Sequence, residues 1–402
     1  MVSRLIYFHR IHFPSASGQT IQVIRDYGSM SSRYDVHLMY RAPSVIAPSH
    51  LNSLLTDYHS SLSSSFHMHC IQEGFRGRQY FYRVVKSLVA GSKKEPIILV
   101  VRTMDHAKKA LAIRDTCRLG KLIKVVLELH ETAIPHMVYL EAGRSLRAFV
   151  SRRLENKIFS KVDGIVCTVG SQLQVLDEKF PDHAPAVILP NNVPAQMPVV
   201  RNNASNELER ENSNCFRMRY AGQFTAWKNT DIMFEALSKL PENFVLELAG
   251  GKMNAMSETK ELIDEMSKKF GVLGRVAYFG FLPPVEVASF LRQADCLLLP
   301  LGNEVQARLF TSPMKLFEYA ASGKPMIVTQ QPTTNSLVND DEHVLMVRPG
   351  VAEDISIAAE RLAGDVHLGE RIASNASRWV EKYSAENRAA EYHLFLEKII
   401  GQ

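Results

Sequence analysis

Cysteine is scarce: five residues in 402, at Cys70, Cys117, Cys167, Cys215 and Cys296, with no Cys-x-x-Cys pair. Wide spacing and an odd number argue against a zinc site or a disulfide framework and for packed, reduced thiols. No apolar run approaches the ~18 residues of a membrane-spanning helix. The longest, around Ile97–Val101 and Val125–Leu127, have the length of strands. The chain starts Met-Val-Ser-Arg and enters an apolar strand at once, without the h-region and cleavage site of a signal peptide, so the cytoplasm is the expected compartment. Asn203-Ala-Ser205 and Asn375-Ala-Ser377 match the glycan-acceptor pattern, which carries little without such a signal. There is no low-complexity tract and no internal repeat.

Charge is present but unevenly shared. Residues 1–200 hold 25 Lys and Arg against 15 Asp and Glu, whereas the remaining 202 hold 22 against 27, within an overall net charge of +5. The basic first half points to an anionic partner such as a membrane surface or a phosphorylated acceptor. The stretch Arg76-Gly-Arg-Gln-Tyr-Phe-Tyr-Arg83 and the basic residues Arg144, Arg147, Arg152, Arg153, Lys157 and Lys161 contribute to it. No recognised RNA or DNA module accompanies them, so no nucleic-acid partner is expected.

Short apolar runs alternate with longer amphipathic ones. Strands are predicted at Leu5–Phe8, Val36–Tyr40, Ile97–Val101, Ile123–Leu129, Gly164–Thr168 and Ala186–Leu189. A second series is predicted at Met218–Ala221, Phe244–Ala249, Val276–Phe279, Cys296–Pro300, Pro325–Thr329 and Val344–Val347. Several are unbroken Val/Ile/Leu runs, the mark of strands buried on both faces of a parallel sheet. Helical stripes lie between them, such as Leu146, Val150, Leu154 and Ile158. This predicts an α/β protein with two Rossmann-like domains. The first spans 1–200, a polar linker 201–214, the second 215–383, and a final helix in 384–402 packs back toward the first.

Doubly wound sheets take ligands beyond the carboxyl ends of their strands. After the first strand, Gly18 opens a helix from a small-residue loop, where backbone N–H groups can approach a phosphate. His130 follows the fourth strand, placed to hydrogen-bond a sugar hydroxyl or to stabilise charge as a bond breaks. In the second domain Gly222 and Gln223 end a strand, and Lys228 stands before a helix as a point charge suited to a diphosphate. The densest pattern is Ser312-Pro313-Met314-Lys315-Leu-Phe-Glu318-Tyr319, closed by Gly323. Ser312 reads as an N-cap with Pro313 at the first helical position. Lys315 then lies beside a positive helix end, and Glu318 one turn on could accept from a ribose diol.

The stretch from Thr311 to Pro325 resembles the donor-site signature of retaining glycosyltransferases of family 4, whose fold is called GT-B, in the branch with Ser-Pro-x-Lys-x-x-Glu-Tyr. Gly222-Gln223 with Lys228, Leu248-Ala-Gly250, Leu299-Pro300 and Pro349-Gly350 fall in family order around it. Support in the first domain is thinner: Gly18, His130, Asp163 to Val166 with Ser171, and Pro190-Asn191-Asn192-Val193. The resemblance implies two Rossmann-like domains facing across a cleft, and transfer of a hexose-like sugar from a nucleoside diphosphate of the UDP or GDP type to a glycan or lipid-linked hydroxyl. Cell-surface glycan or polysaccharide assembly is the implied setting, with peripheral contact with the anionic inner face of the membrane. It implies that Glu318 binds ribose, and that Lys228, Gly18 and the helix starting at Ser312, with Met314 and Lys315, hold the diphosphate. His130 would contact the donor sugar. No metal or cofactor is expected, and the absence of the Asp-x-Asp pair used by the metal-dependent GT-A architecture agrees. Three positions depart from the family. Phe310 stands where an acid often contacts the sugar, Gln223 where Arg is usual, and Asn192 where Gly is usual, with Asn able to adopt a left-handed conformation. Phe310 and Gln223 leave a second reading open, a catalytically inactive nucleotide-binding GT-B subunit or scaffold.

Overall fold

The computed structural model describes residues 3–15, 18–42, 46–56, 62–72, 75–92, 95–130, 134–193, 215–224, 228–251 and 255–401. The expected linker 201–214 lies outside them, as do Thr225 to Trp227 and Glu131 to Ala133; the side chains of residues 76–80 in the basic stretch do too. Among the described residues all five cysteines are free thiols.

The chain separates into two compact units. The first comprises Met1–Ala195, Phe310–Ser312 and Tyr383–Gln402, and the second Gln196–Leu309 and Pro313–Lys382. The first unit runs β1 (Arg4–His12), α1 (Gly18–Met30), β2 (Asp35–Ala42), α2 (Pro48–Thr56), β3 (Phe66–Gln72), α3 (Phe75–Ala90), β4 (Ile97–Val101), α4 (Met104–Thr116), β5 (Ile123–Glu128), α5 (Pro135–Glu141), α6 (Ser145–Phe159), β6 (Gly164–Cys167), α7 (Gly170–Lys179) and β7 (Ala186–Ile188). The second runs β8 (Phe216–Gly222), α8 (Ile232–Ser238), β9 (Phe244–Gly250), α9 (Met256–Lys269), β10 (Val276–Tyr278), α10 (Pro284–Arg292), β11 (Cys296–Leu299), α11 (Met314–Ala321), β12 (Met326–Thr329), α12 (Pro332–Asn335), β13 (Leu345–Val347), α13 (Ala352–Gly364) and α14 (Val366–Val380). The last helix, α15 (Ala385–Ile400), returns to the first unit.

Both sheets are parallel throughout. The first has the order β3-β2-β1-β4-β5-β6-β7 and the second β10-β9-β8-β11-β12-β13, so the order reverses between β1 and β4 and again between β8 and β11. Ile97–Val101 is buried at every residue, as are Cys296–Leu299 and Met326–Thr329. Helices on both faces explain the unbroken apolar runs, and each fully enclosed Val, Leu, Ile or Phe contributes roughly 1.5–3 kcal/mol.

The first unit depends on α15. Ser384 caps it by accepting the Asn387 N–H at 3.0 Å, and Ala385, Arg388, Ala389, Tyr392, Phe395, Leu396 and Ile399 form its buried stripe. That stripe joins the core of Tyr7, Tyr27, Val126 and Val166. Gly164 makes room for it: a Cβ there would fall 2.3 Å from Ile399 Cδ1 and 3.0 Å from the Phe395 ring.

Four local expectations are corrected. β3 has no counterpart in the predicted strands, because Phe66-His-Met-His-Cys-Ile-Gln alternates, as suits a half-exposed edge strand, instead of forming an apolar run. The apolar periodicity of α6 does not point wholly to the core, for Leu146 and Val150 are 78 % and 61 % exposed. Ser312 does not cap the helix that follows: α11 starts at Met314 with Pro313 as its cap residue and no side-chain cap bond. Asn192 does not use the left-handed region, which among described non-glycine residues only Asn229 and Asp341 occupy. Its side chain is used instead, as described next.

Candidate active site

In the second unit, β8 ends at Gly222 beside the reversal with β11. Tyr220, buried in that strand, donates its hydroxyl to the Gln223 carbonyl at 2.8 Å, and the Ala221 N–H donates to the Tyr319 hydroxyl at 3.1 Å. The second bond ties α11 to the strand end. Phe317 stacks on Trp379 at 5.6 Å behind it, and Gly323, at φ 74°, ends the helix as expected.

Lys315 is thereby laid along the strand's terminal backbone. A Cβ at Gly222 would fall 2.3 Å from both Cε and Nζ of Lys315, so the lysine occupies the space that the glycine leaves. Its ammonium sits 5.5 Å from the centre of the Tyr220 ring. Burial pushes the Lys315 pKa down, and Glu318 pulls it the other way. Among the described residues no carboxylate forms a salt bridge with it. The Glu318 side chain is half-buried one turn further along α11, Gln223 is exposed, and Lys228 is half-buried in the turn after residues 225–227.

The first unit is built differently. Gly18 starts α1 and is exposed, at the same sheet edge as the end of β5. Glu128, the last residue of β5, is 3 % exposed, and His130 follows two residues on. His130 Nε2 lies 3.5 Å from Glu128 Oε2, the outer limit of a hydrogen bond. Arg388 of α15 stands 3.7 Å from Glu128 Oε1 and 3.1 Å from Asp26 Oδ2. Burial alone would raise the Glu128 pKa, but His130 and Arg388 hold it down at about 2. Burial lowers His130 to about 4, helped by the Arg102 charge, so its imidazole is neutral at pH 7. Arg102 donates to the Tyr7 hydroxyl at 3.2 Å. Beside it His9 and His106 face each other, Nδ1 to Nδ1, at 3.2 Å; burial lowers them to about 3 and about 4. The β1–β2 register shifts between Tyr7 and Arg10, a bulge that re-aims the side chain of His9.

Next to this cluster Asn192 donates its amide to Asp26, and its side-chain oxygen and carbonyl accept from the buried Arg25. Asn191 bonds Gln22, and through its backbone N–H and side-chain amide it holds Ser312: N–H to Oγ at 3.2 Å, amide to carbonyl at 2.6 Å. The Ser312 hydroxyl thus accepts from Asn191, and Ser312 stands one residue before the cap position of α11. Phe310 is 1 % exposed, and its carbonyl accepts from Gln172 at 3.0 Å. Sequence reasoning missed Glu128, Arg388, Asp26, Arg102, His9 and His106. A signal existed for two of them: a carboxylate ending an apolar strand, and an arginine inside the apolar stripe of α15.

One cluster has metal-ligand character. Asp35, His37 and His67 bring donor atoms within 4.8 Å of one another at the start of β2 and β3. It lies at the amino ends of its strands, opposite to the edge described above. Arg4 already pairs with Asp35 at 2.8 Å, and the rings of His67 and His69 stack on His37 beside it.

Residues 216–365 match the family model described as glycosyl transferases group 1. An uncharacterized glycosyltransferase of Methanocaldococcus jannaschii is 23% identical over 310 residues, 76% of this chain and 78% of its own. Among solved structures, sucrose-phosphate synthase from Thermosynechococcus elongatus superposes with a TM-score of 0.77 at 16% identity, covering 100% of this chain and 99% of that one. HepE of Anabaena, in complex with UDP, gives 0.71 at 13% identity over 98% and 100%. The architecture is GT-B: two domains, each with a parallel sheet and helices on both faces. The second of them is a domain of glycosyltransferase type, and the chain is an enzyme of the transferase class.

Proposed function

We propose that the chain is a retaining glycosyltransferase of family 4 that moves a sugar from a nucleoside-diphosphate sugar, of the UDP or GDP type, to a hydroxyl on a glycan or lipid-linked acceptor. The observation that carries this reading is Lys315 lying against Gly222: an ammonium at the carboxyl edge of a reversing parallel sheet, with no salt-bridged carboxylate among the described residues and only Glu318 acting on it from one helical turn away. A diphosphate supplies the missing negative charge. Lys315 and Lys228 take its oxygens, with Gly222, Gln223, Met314 and the backbone after Ser312 around it, and Gly18 offers its N–H to the distal phosphate. Glu318, one helical turn from Lys315, accepts from the ribose diol. The UDP held by HepE, a relative in fold, supports a nucleotide of this kind.

In the reaction the bond from the anomeric carbon to the diphosphate oxygen breaks while the acceptor oxygen bonds that carbon from the same face. The acceptor proton passes to the departing phosphate oxygen. Charge grows on the diphosphate, where fixed lysines and amides stabilise it most. Neutral His130, held beside Glu128, hydrogen-bonds the donor sugar near the reacting carbon. The work belongs to cell-surface glycan or glycoconjugate assembly, in the cytoplasm, with peripheral contact with the anionic inner face of the membrane. No described helix is long and apolar enough to cross that membrane.

Thermal-shift screening with UDP, GDP, ADP and TDP, followed by turnover assays with the matching sugar nucleotides, tests the proposal. One nucleotide should stabilise the protein, and Glu318→Ala should weaken its binding about tenfold, a loss of ~1.4 kcal/mol for the two ribose hydrogen bonds. No stabilisation by any of the four sinks the reading. Phe310 favours one alternative, a nucleotide-binding subunit without activity, because the aromatic is packed into the core where the family often has an acid. Tight binding with no turnover across donors and acceptors would select it.

A further inference from the structure

The helix pair α5–α6 turns its apolar residues outward. Leu140 is 55 % exposed, Leu146 78 %, Phe149 55 % and Val150 61 %. At about 100° per residue, Leu146, Phe149, Val150, Arg153 and Lys157 share the outer face of α6, while Ala148, Glu155, Ile158 and Phe159 are buried. The rotation is locked from below. Glu155, fully buried, accepts the His136 N–H at 2.9 Å and the Ser151 hydroxyl at 2.7 Å, and bonds the His136 ring as well. Sliding the apolar residues inward would strip that carboxylate of its partners, which is costly in a dry interior.

Arg144, Arg147, Arg152, Arg153 and Lys157 are exposed around the apolar residues, and Glu141 is the one exposed acid between residues 140 and 159. The Arg153 guanidinium lies 4.3 Å over the Phe149 ring, so cation and apolar surface interleave. The connection through Gly143 leaves the tip open, with nothing within 4 Å of a Cβ placed there. Topology sets its position. A crossover helix between parallel strands runs back against them, so the start of α6 lies at the carboxyl edge of the sheet, the edge that carries His130.

We propose that the α5–α6 tip is the membrane-docking surface of this protein, and that its occupant is an anionic phospholipid bilayer. A convex tip with apolar side chains among like charges matches such a surface: the side chains enter the boundary below the headgroups, and the cations stay at phosphate level. A flat protein interface would instead leave the five cations needing acids in register. The proposal rests on the transferase reading only for its purpose, which is to bring a lipid-linked acceptor to the edge that carries His130.

The test uses the full chain with phosphatidylcholine vesicles, with and without phosphatidylglycerol, at low and high salt. The protein should sediment with the anionic vesicles at low salt and be released by salt. Phe149→Glu with Val150→Glu, both at exposed positions, should weaken partitioning by about tenfold or more. Arg147→Glu with Arg152→Glu should abolish the preference for anionic lipid. Turnover on a soluble acceptor should be unchanged in both variants, so lost docking is distinguishable from a failure of the proposed reaction. Phe149→Trp should shift its emission to the blue on anionic vesicles. Binding that ignores the substitutions, equal binding to neutral vesicles, or a concentration-dependent dimer abolished by the same substitutions would each overturn the proposal.

Discussion

The two sheets reverse their strand order in the same way, yet their carboxyl edges are furnished in opposite styles. At the first, ionisable groups answer one another: Arg388 stands between Asp26 and Glu128, Glu128 faces His130, and Arg102 is bonded to Tyr7. At the second, the lysine beside Gly222 is set down among an aromatic ring and backbone with no salt-bridged carboxylate. Paired charges hold the first edge in shape around a histidine that burial keeps neutral, whereas the lysine at the second edge has only Glu318 to offset its charge. Under the proposed function, the same topology serves orientation in one unit and charge recognition in the other.

The sharpest way to break this contrast is to remove one cation from each edge. Arg388→Met should cost about 3–5 kcal/mol in urea unfolding, because it strands two enclosed carboxylates. Lys315→Met should leave stability unchanged or raised, since it removes a desolvated charge, while kcat/KM falls at least about 100-fold, or ~2.7 kcal/mol. Equal losses of stability in both variants would erase the distinction. His130→Ala should lower kcat by about 100-fold with little change in donor KM, the signature of a group that acts on the bond being broken.

A smaller effect sharpens the contrast through pH. His9, His106 and His130 have folded pKa values of about 3, 4 and 4, below the ordinary 6.5, so the unfolded chain binds more protons as pH drops below 6.5. Stability should therefore decline from pH 6.5 toward 4. Glu128, depressed from 4.5 to about 2, adds a further loss between those values. Replacing His9 and His106 together by Gln should flatten the upper part of this curve. A curve unchanged by that pair would place the sensitive groups elsewhere.

The α/β class and the parallel sheets were legible in the sequence because strands buried on both faces write themselves as Val/Ile/Leu runs. The edge strand β3, with His67 and His69 alternating, wrote no such run. The Lys315–Glu318 spacing was legible because it is local to one helix. The Arg388–Glu128 pairing joins residues 260 positions apart in the chain, and no local pattern announces it. The outward rotation of α6 was hidden too. Leu146 and Val150 have the period of a core stripe, and only the buried Glu155 reveals which side faces in.

The return of α15 to the first unit has a consequence for how the molecule is made. The carboxylates of Asp26 and Glu128 are synthesised well before the guanidinium that pairs with them, which follows Glu128 by 260 residues. Until then the nascent first half carries two acids without the Arg388 charge and an uncovered apolar surface where Tyr392, Phe395 and Ile399 will lie. Maturation of the amino-terminal half therefore waits for the synthesis of α15, and an isolated fragment of that half should bind chaperones or aggregate.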